Sequence, residues 1–122
     1  MPKAKNNTWF VPEGTQLTEL DLKVLEYQDK GFVVPSRQLI KTPEQIEGIR
    51  RAGVINTGAL DLVAKSIKED MSTAEIDRLV AEYIADHGAI AACLGYEGFP
   101  KSCCTSINEV VCHGIPSDEE LL

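Results

Sequence analysis

Two capping boxes constrain this chain more than anything else in it. Thr42-Pro43-Glu44-Gln45 sets a threonine hydroxyl before a proline and a glutamine, and Ser72-Thr73-Ala74-Glu75 repeats the pattern with serine and glutamate. Each box satisfies backbone amides that the start of a helix leaves without partners, so the spacing predicts one helix from Pro43 and another just after Ser72. In the first, Ile46, Ile49, Gly53, Leu60, Val63 and Ile67 recur at helical intervals and form an apolar stripe. Gly53 and Gly58 each weaken such a helix by about 1 kcal/mol relative to alanine, so they are expected to permit close packing; the alternative is a break near Gly58. In the second, the stripe is Ile76, Leu79, Val80, Tyr83 and Ile84, and His87-Gly88 supplies the stop, with glycine terminating and His87 expected as a cation at the helix C-terminus.

After the helices come Ala89–Leu94, Cys103–Ile107 and Glu109–Cys112, short apolar runs separated by glycine and proline, which is how strands between turns read. Helices first and strands after predict an α+β layer, two helices packed on one face of an antiparallel-type sheet. Residues 1–40 differ in charge balance, five basic against five acidic residues, where residues 41–122 carry seven against fourteen. They are expected to form an N-terminal extension to a domain spanning residues 41–122. Within the extension, Leu17, Leu20, Val24 and Tyr27 fall at helical spacing and suggest a short amphipathic helix that docks on the main domain or on a partner. Gly31 would end it, and Phe32-Val33-Val34 would run on extended.

The net charge of −7 speaks against a nucleic-acid footprint. No apolar run approaches the ~20 residues that span a bilayer, and the N-terminus lacks a signal-peptide core, so the chain reads as cytoplasmic and free of membrane. Its four cysteines, Cys93, Cys103, Cys104 and Cys112, crowd the last third and are expected as reduced thiols. Adjacent cysteines on a strand point to opposite faces and no C-x-x-C pair occurs, which disfavours a zinc site built from Cys103, Cys104, Cys112 and His113. Asp118, Glu119 and Glu120 read as a solvated acidic run.

Chemistry concentrates in Leu94-Gly95-Tyr96-Glu97-Gly98-Phe99-Pro100-Lys101-Ser102 and Asn108-Glu109-Val110-Val111-Cys112-His113-Gly114-Ile115-Pro116. Cys93, Tyr96, Phe99 and Cys104 bracket a turn and read either as ordinary core and turn residues or as the lining of an apolar slot for a thioether side chain, where sulfur–aromatic contacts contribute roughly 0.3–1.5 kcal/mol each. His113 follows a predicted strand and precedes a turn at Gly114 and Pro116, a place from which an imidazole can hydrogen-bond a peptide carbonyl.

Over residues 40–122, from Ile40-Lys41-Thr42-Pro43 through both of these runs, the chain resembles the type I methionine aminopeptidases. The resemblance implies the first half of a pita-bread (creatinase/aminopeptidase-like) fold. It implies removal of the initiator methionine from nascent proteins by two-metal hydrolysis, with two divalent ions (Co, Mn, Fe or Zn) in the complete enzyme. By the same resemblance Cys93, Tyr96, Phe99 and Cys104 form the methionine side-chain pocket, and His113 contacts the substrate. The backbone carbonyls of Asn108 and Val110 fall on a monovalent-cation site, Na or K. N-terminal methionine peptides, the missing C-terminal half and proximity to the ribosome are the implied partners. Phe99 stands where tyrosine is frequent and Glu97 where histidine or asparagine is usual, which sets a carboxylate at the pocket mouth. The family's divalent-metal ligands fall beyond Leu122, so the chain is expected as an N-terminal fragment that binds no divalent metal and is inactive alone. The alternative is a natural truncation acting as a noncatalytic peptide- or protein-binding module. A prolidase-like enzyme of the same fold is disfavoured by the two runs.

Overall fold

The computed structural model describes residues 8–122. They divide into two compact units, 8–46 and 47–122, with the division just after the first turn of a long helix.

In the first unit, Thr18 caps helix α1 (Glu19–Asp29) through a capping box closed by Asp21. Asp21 has no solvent-accessible surface, and five donors converge on it. Oδ1 accepts the Trp9 indole N–H at 2.9 Å and Arg37 Nε at 2.8 Å. Oδ2 accepts the Thr18 amide at 3.0 Å, the Thr18 hydroxyl at 2.8 Å and Arg37 Nη2 at 3.4 Å. These bonds, Arg37's foremost, favour the charged form and hold the carboxyl well below the usual carboxylate range. Residues far apart in sequence are thereby tied to one helix position: Trp9, and Arg37 at the head of a 3-10 turn (Arg37–Leu39). Trp9 and Val34 are buried in the same unit. The helix closes with Gly31 and Phe32 donating to the Gln28 and Tyr27 carbonyls at 2.9 and 3.1 Å, and the Phe32 ring meets Tyr27 edge-on at 5.6 Å. The helix is where the periodicity placed it, but Leu17, Leu20 and Tyr27 are exposed; the one buried residue of α1 is Asp21.

Helix α2 (Pro43–Ser66) starts at the predicted proline, with Thr42 and Gln45 exchanging bonds of 3.2 and 2.9 Å. It runs unbroken past Gly58, whose missing side chain makes room for Tyr83: a Cβ there would lie 2.0 Å from the Tyr83 hydroxyl oxygen. The buried arc differs from the predicted stripe. Of that stripe Val63 is half-buried, but Ile46, Ile49, Gly53, Leu60 and Ile67 are exposed, whereas Ile55, Gly58, Ala59, Leu62 and Ser66 outside it are buried or half-buried. On this second arc Gly58 meets Tyr83 of α3, and Ile55 and Ala59 line one cleft with Val80 and Ile84 of that helix.

Helix α3 (Thr73–Asp86) opens on the predicted box, Ser72 and Glu75 bonding each other's amides at 3.2 and 2.8 Å. Its stripe is inward as predicted, Ile76 buried and Leu79, Val80, Tyr83 and Ile84 half-buried. At the far end Gly88 adopts φ 68°, and the Gly88 and Ala89 amides donate to Ala85 and Ile84 at 2.9 and 3.0 Å, the bonds of a left-handed helix stop. The free amides at the start of α3 are met by the chain's last residues: Thr73 donates to Glu120 at 2.9 Å and Ala74 to Ser117 at 3.0 Å. The fully buried Thr73 hydroxyl donates to the Ser117 carbonyl and accepts the Ser117 amide, at 3.1 and 2.9 Å.

The expected sheet does not form. Among the described residues the only strand-like pairing is one antiparallel bridge, Ser72 with Leu121. A strand needs a partner along its length to satisfy its amides and carbonyls, and the three apolar runs find none. Ile90 and Val111 stand 91% and 94% exposed. Cys103–Ile107 and Glu109–Cys112 follow each other through a turn closed by Val110 donating to Ile107 at 3.0 Å, but the next backbone bond, Thr105 to Gly114 at 3.0 Å, already falls past the second run. Among the described residues no helix is long and apolar enough to cross a membrane.

Candidate functional site

The loop after α3 is folded by its own backbone. The Tyr96 amide donates to Cys93 at 3.1 Å, Phe99 to Tyr96 at 2.9 Å and Gly95 to Phe99 at 2.8 Å, closing a 3-10 turn over Tyr96–Gly98. Within it Glu97 takes a left-handed conformation, φ 47° and ψ 31°, which costs a non-glycine residue on the order of 1–3 kcal/mol and persists only where surrounding bonds enforce it. The turn gives Tyr96, Glu97, Phe99 and Pro100 to one open, mainly apolar cleft of about 630 Å³. Cys93 and Cys104 line the same cleft, as do His113 and Ile115.

All five side chains expected at a methionine pocket and its histidine therefore meet: Cys93, Tyr96, Phe99, Cys104 and His113. Asn108 and Val110 do not line this cleft. They belong to the turn between the two apolar runs, where Asn108 has φ 51°. His87, at the end of α3, is also elsewhere: its ring stacks on Tyr83 at 4.0 Å and Nδ1 lies 2.7 Å from the Tyr83 carbonyl.

His113 is in a second left-handed conformation, φ 56°. Next to it, the Gly114 carbonyl accepts the Thr105 amide at 3.0 Å and the Gly114 amide donates to the Ser106 hydroxyl at 3.2 Å. Gly114 packs so closely that a Cβ would lie 1.8 Å from the Thr105 carbonyl oxygen. Backbone contact of this kind, with no side chain between, fixes where His113 leaves the chain.

One buried residue was not singled out in the sequence. Asp77 of α3 is 8% exposed, and its Oδ1 accepts the Ser102 amide at 2.7 Å, the Cys103 amide at 3.2 Å and the Cys103 thiol at 3.8 Å. Burial and then the Asp77 carboxylate push the Cys103 thiol up to about 12. A signal was available: Thr73, Ile76, Asp77, Val80 and Ile84 share one inward arc of α3, and a carboxylate amid such residues is seldom buried without partners.

Chemically, the cleft offers two aromatic rings and two thiol side chains to an apolar side chain, with an imidazole and one carboxylate at hand. All four cysteines are free. Among the described residues no three His, Cys, Asp or Glu side chains come together in a group that could hold a metal ion.

Residues 47–122 match metallopeptidase family M24. Among curated proteins the chain is 53% identical to methionine aminopeptidase 2 of Mycobacterium tuberculosis over 81 residues, which is 66% of this chain and 28% of that protein. It is 52% identical to the methionine aminopeptidase of Escherichia coli over 84 residues, 68% of this chain and 32% of that protein. Among solved structures, the methionine aminopeptidase of Rickettsia prowazekii superposes with a TM-score of 0.63 at 44% identity, covering 66% of this chain and 32% of that one. The chain thus spans about a third of the length of these relatives.

Proposed function

This chain belongs to metallopeptidase family M24, and on that premise we propose that its residues 41–122 serve a methionine aminopeptidase that removes the initiator methionine from nascent proteins. In this reading they are the N-terminal half of a pita-bread catalytic domain, and residues 1–40 are an extension to it. The observation that carries the reading is the cleft itself, which draws Cys93, Tyr96, Phe99, Cys104 and His113 from three separate stretches of chain into one place.

Tyr96 and Phe99 present ring surface, and Cys93 and Cys104 present sulfur, to an unbranched thioether. Methionine suits such a lining better than a branched or polar side chain because it is flexible, apolar and polarisable. His113, at the same cleft, donates a hydrogen bond to the carbonyl of the bond to be cleaved and stabilises the charge that develops there. The Asn108 and Val110 carbonyls, two oxygens of one turn, contribute to a site for Na or K, since hard cations take backbone oxygens. In the complete enzyme two divalent ions, as a metallopeptidase family implies, would supply the activated water. Substrates of this kind, N-terminal methionine peptides of nascent chains, place the work in the cytoplasm close to the ribosome.

The test is kinetic. In a full-length enzyme carrying these residues, His113→Ala is expected to lower kcat/KM for a methionine-starting peptide by roughly 10²–10³, the range for losing one preorganised donor, with metal content unchanged. Tyr96→Ala is expected to erode the preference for methionine over alanine. Loss of metal in the first variant would contradict the role of His113, and full selectivity in the second would contradict that of Tyr96.

A further inference from the structure

Cys104 and His113 reach the cleft from two segments that meet at one place, and that place is anchored from behind by α3. The order of contacts is continuous. Asp77 Oδ1 takes the amides of Ser102 and Cys103 at 2.7 and 3.2 Å. Cys104 follows directly and lines the cleft. Thr105, next in line, donates to the Gly114 carbonyl at 3.0 Å and lies against the Gly114 backbone with no space for a Cβ. Gly114 follows His113, which lines the cleft from a left-handed conformation.

From this geometry we infer that Asp77 is a positioning residue for the cleft: by holding the Ser102 and Cys103 amides, the α3 carboxylate sets the placement of Cys104 and, through the Thr105–Gly114 contact, of His113. Asp77 does not line the cleft. Hydrogen bonds to a carboxylate are stronger than neutral ones, and an amide that loses such an acceptor while half-buried is left uncompensated. The Cys103 thiol joins the same oxygen at 3.8 Å, and burial, with the Asp77 carboxylate second to it, raises that thiol's resistance to ionisation. Because all three contacts fall on Oδ1, an asparagine side chain can keep them, whereas alanine removes them all.

The consequence for methionine recognition rests on the proposed function; the coupling between Asp77 and the Thr105–Gly114 contact does not. The experiment is therefore run on the full chain with two readouts. Amide hydrogen exchange is followed at Ser102, Cys103 and Thr105 in the wild type, Asp77→Ala and Asp77→Asn, and each protein is titrated with a methionine-starting and a leucine-starting peptide. In Asp77→Ala, exchange at Ser102 and Cys103 is expected to rise about tenfold or more, and at Thr105 with them. His113 resonances shift and the preference for the methionine peptide falls, while Asp77→Asn, which keeps the acceptor oxygen and loses the charge, lies closer to wild type than to Asp77→Ala on each count. If Asp77→Ala does not fold, Asp77→Ser, which keeps a small polar group but cannot reach both amides, gives the same comparison. Faster exchange at Ser102 and Cys103 with Thr105 and His113 unmoved would overturn the positioning role and leave Asp77 as a local cap. If the wild type shows no preference for the methionine peptide, the proposed function fails, and the Thr105 and His113 responses still decide the coupling.

Discussion

Gly114 and Thr105 meet backbone to backbone: the Thr105 amide donates to the Gly114 carbonyl at 3.0 Å, and a Cβ on Gly114 would fall 1.8 Å from the Thr105 oxygen. No rotamer change relieves such a clash, because the obstructing atom is main chain. Gly114→Ala should therefore push the His113 segment away from Thr105 and destabilise the chain by roughly 1–3 kcal/mol, the usual cost of overpacking. Denaturant unfolding measures the loss and the His113 ring resonances report the displacement. A variant of wild-type stability with unshifted His113 signals would show that this contact does not fix the segment.

Gly58 and Gly53 give a matched pair on the same helix. Gly53 has nothing within 4 Å of where its Cβ would be, whereas at Gly58 the Tyr83 hydroxyl oxygen is 2.0 Å away. Gly53→Ala is expected to stabilise α2 by about 0.5–1 kcal/mol through helix propensity alone. At Gly58 the same gain is outweighed, since the Tyr83 ring must leave its stack on His87. Gly58→Ala should be destabilising in the wild type and stabilising in a Tyr83→Ala background, and thermal unfolding of the double-mutant cycle measures the coupling. Equal effects at Gly53 and Gly58 would contradict the packing described.

Thiol reactivity should follow burial and charge. Cys103, half-buried with its thiol pushed up to about 12 by burial and by Asp77, stays protonated at neutral pH and presents little thiolate. Timed alkylation followed by peptide mass mapping should find Cys103 labelled well after the exposed Cys112, with its rate climbing only in strongly alkaline solution. Equal labelling of the two at pH 7 would count against the Asp77 contact.

The first unit carries its own pH signature. The folded carboxyl of Asp21 sits below its unfolded value, near 3.9, because Arg37, Thr18 and Trp9 all favour the charged form. Its contribution to stability is therefore complete above about pH 4 and is lost as the pH falls from there toward the folded value. Trp9 is the only tryptophan and donates to Asp21, so its emission reads the centre directly. The emission should hold constant from neutral pH to about 4.5 and move to longer wavelength below about pH 3. Asp21→Asn should show the shifted emission already at pH 7, and an unshifted variant would refute the arrangement.

What the sequence made legible was local. The starts of α2 and α3 follow from capping boxes spelled out in four consecutive residues, and the end of α3 from a glycine placed one turn past the last apolar position. Cys93, Tyr96, Phe99 and Cys104 could be grouped around one turn from their spacing, but that they line a cleft together with His113 was legible only through the family resemblance. The sheet was misread because apolar runs show that a strand is possible without showing that a partner strand lies alongside. The buried arc of α2 was misread for a related reason: several apolar arcs were on offer, and only contact with α3 selects one. Asp21 and Asp77 were missed because both sit in helices among charged neighbours, Asp77 directly before Arg78, and a carboxylate in that setting reads as solvated until its distant donors are seen.

Whether the cleft between the Tyr96 turn and His113 receives a methionine side chain is decided by titrating the isotope-labelled chain with a short methionine-starting peptide, and with its alanine-starting counterpart, followed residue by residue. Saturable shifts are expected for the methionine peptide, centred on Cys93, Tyr96, Phe99, Cys104 and His113, weakened by Tyr96→Ala and absent for the alanine peptide. Shifts centred elsewhere, or equal responses to the two peptides, would show that the cleft is not a methionine pocket.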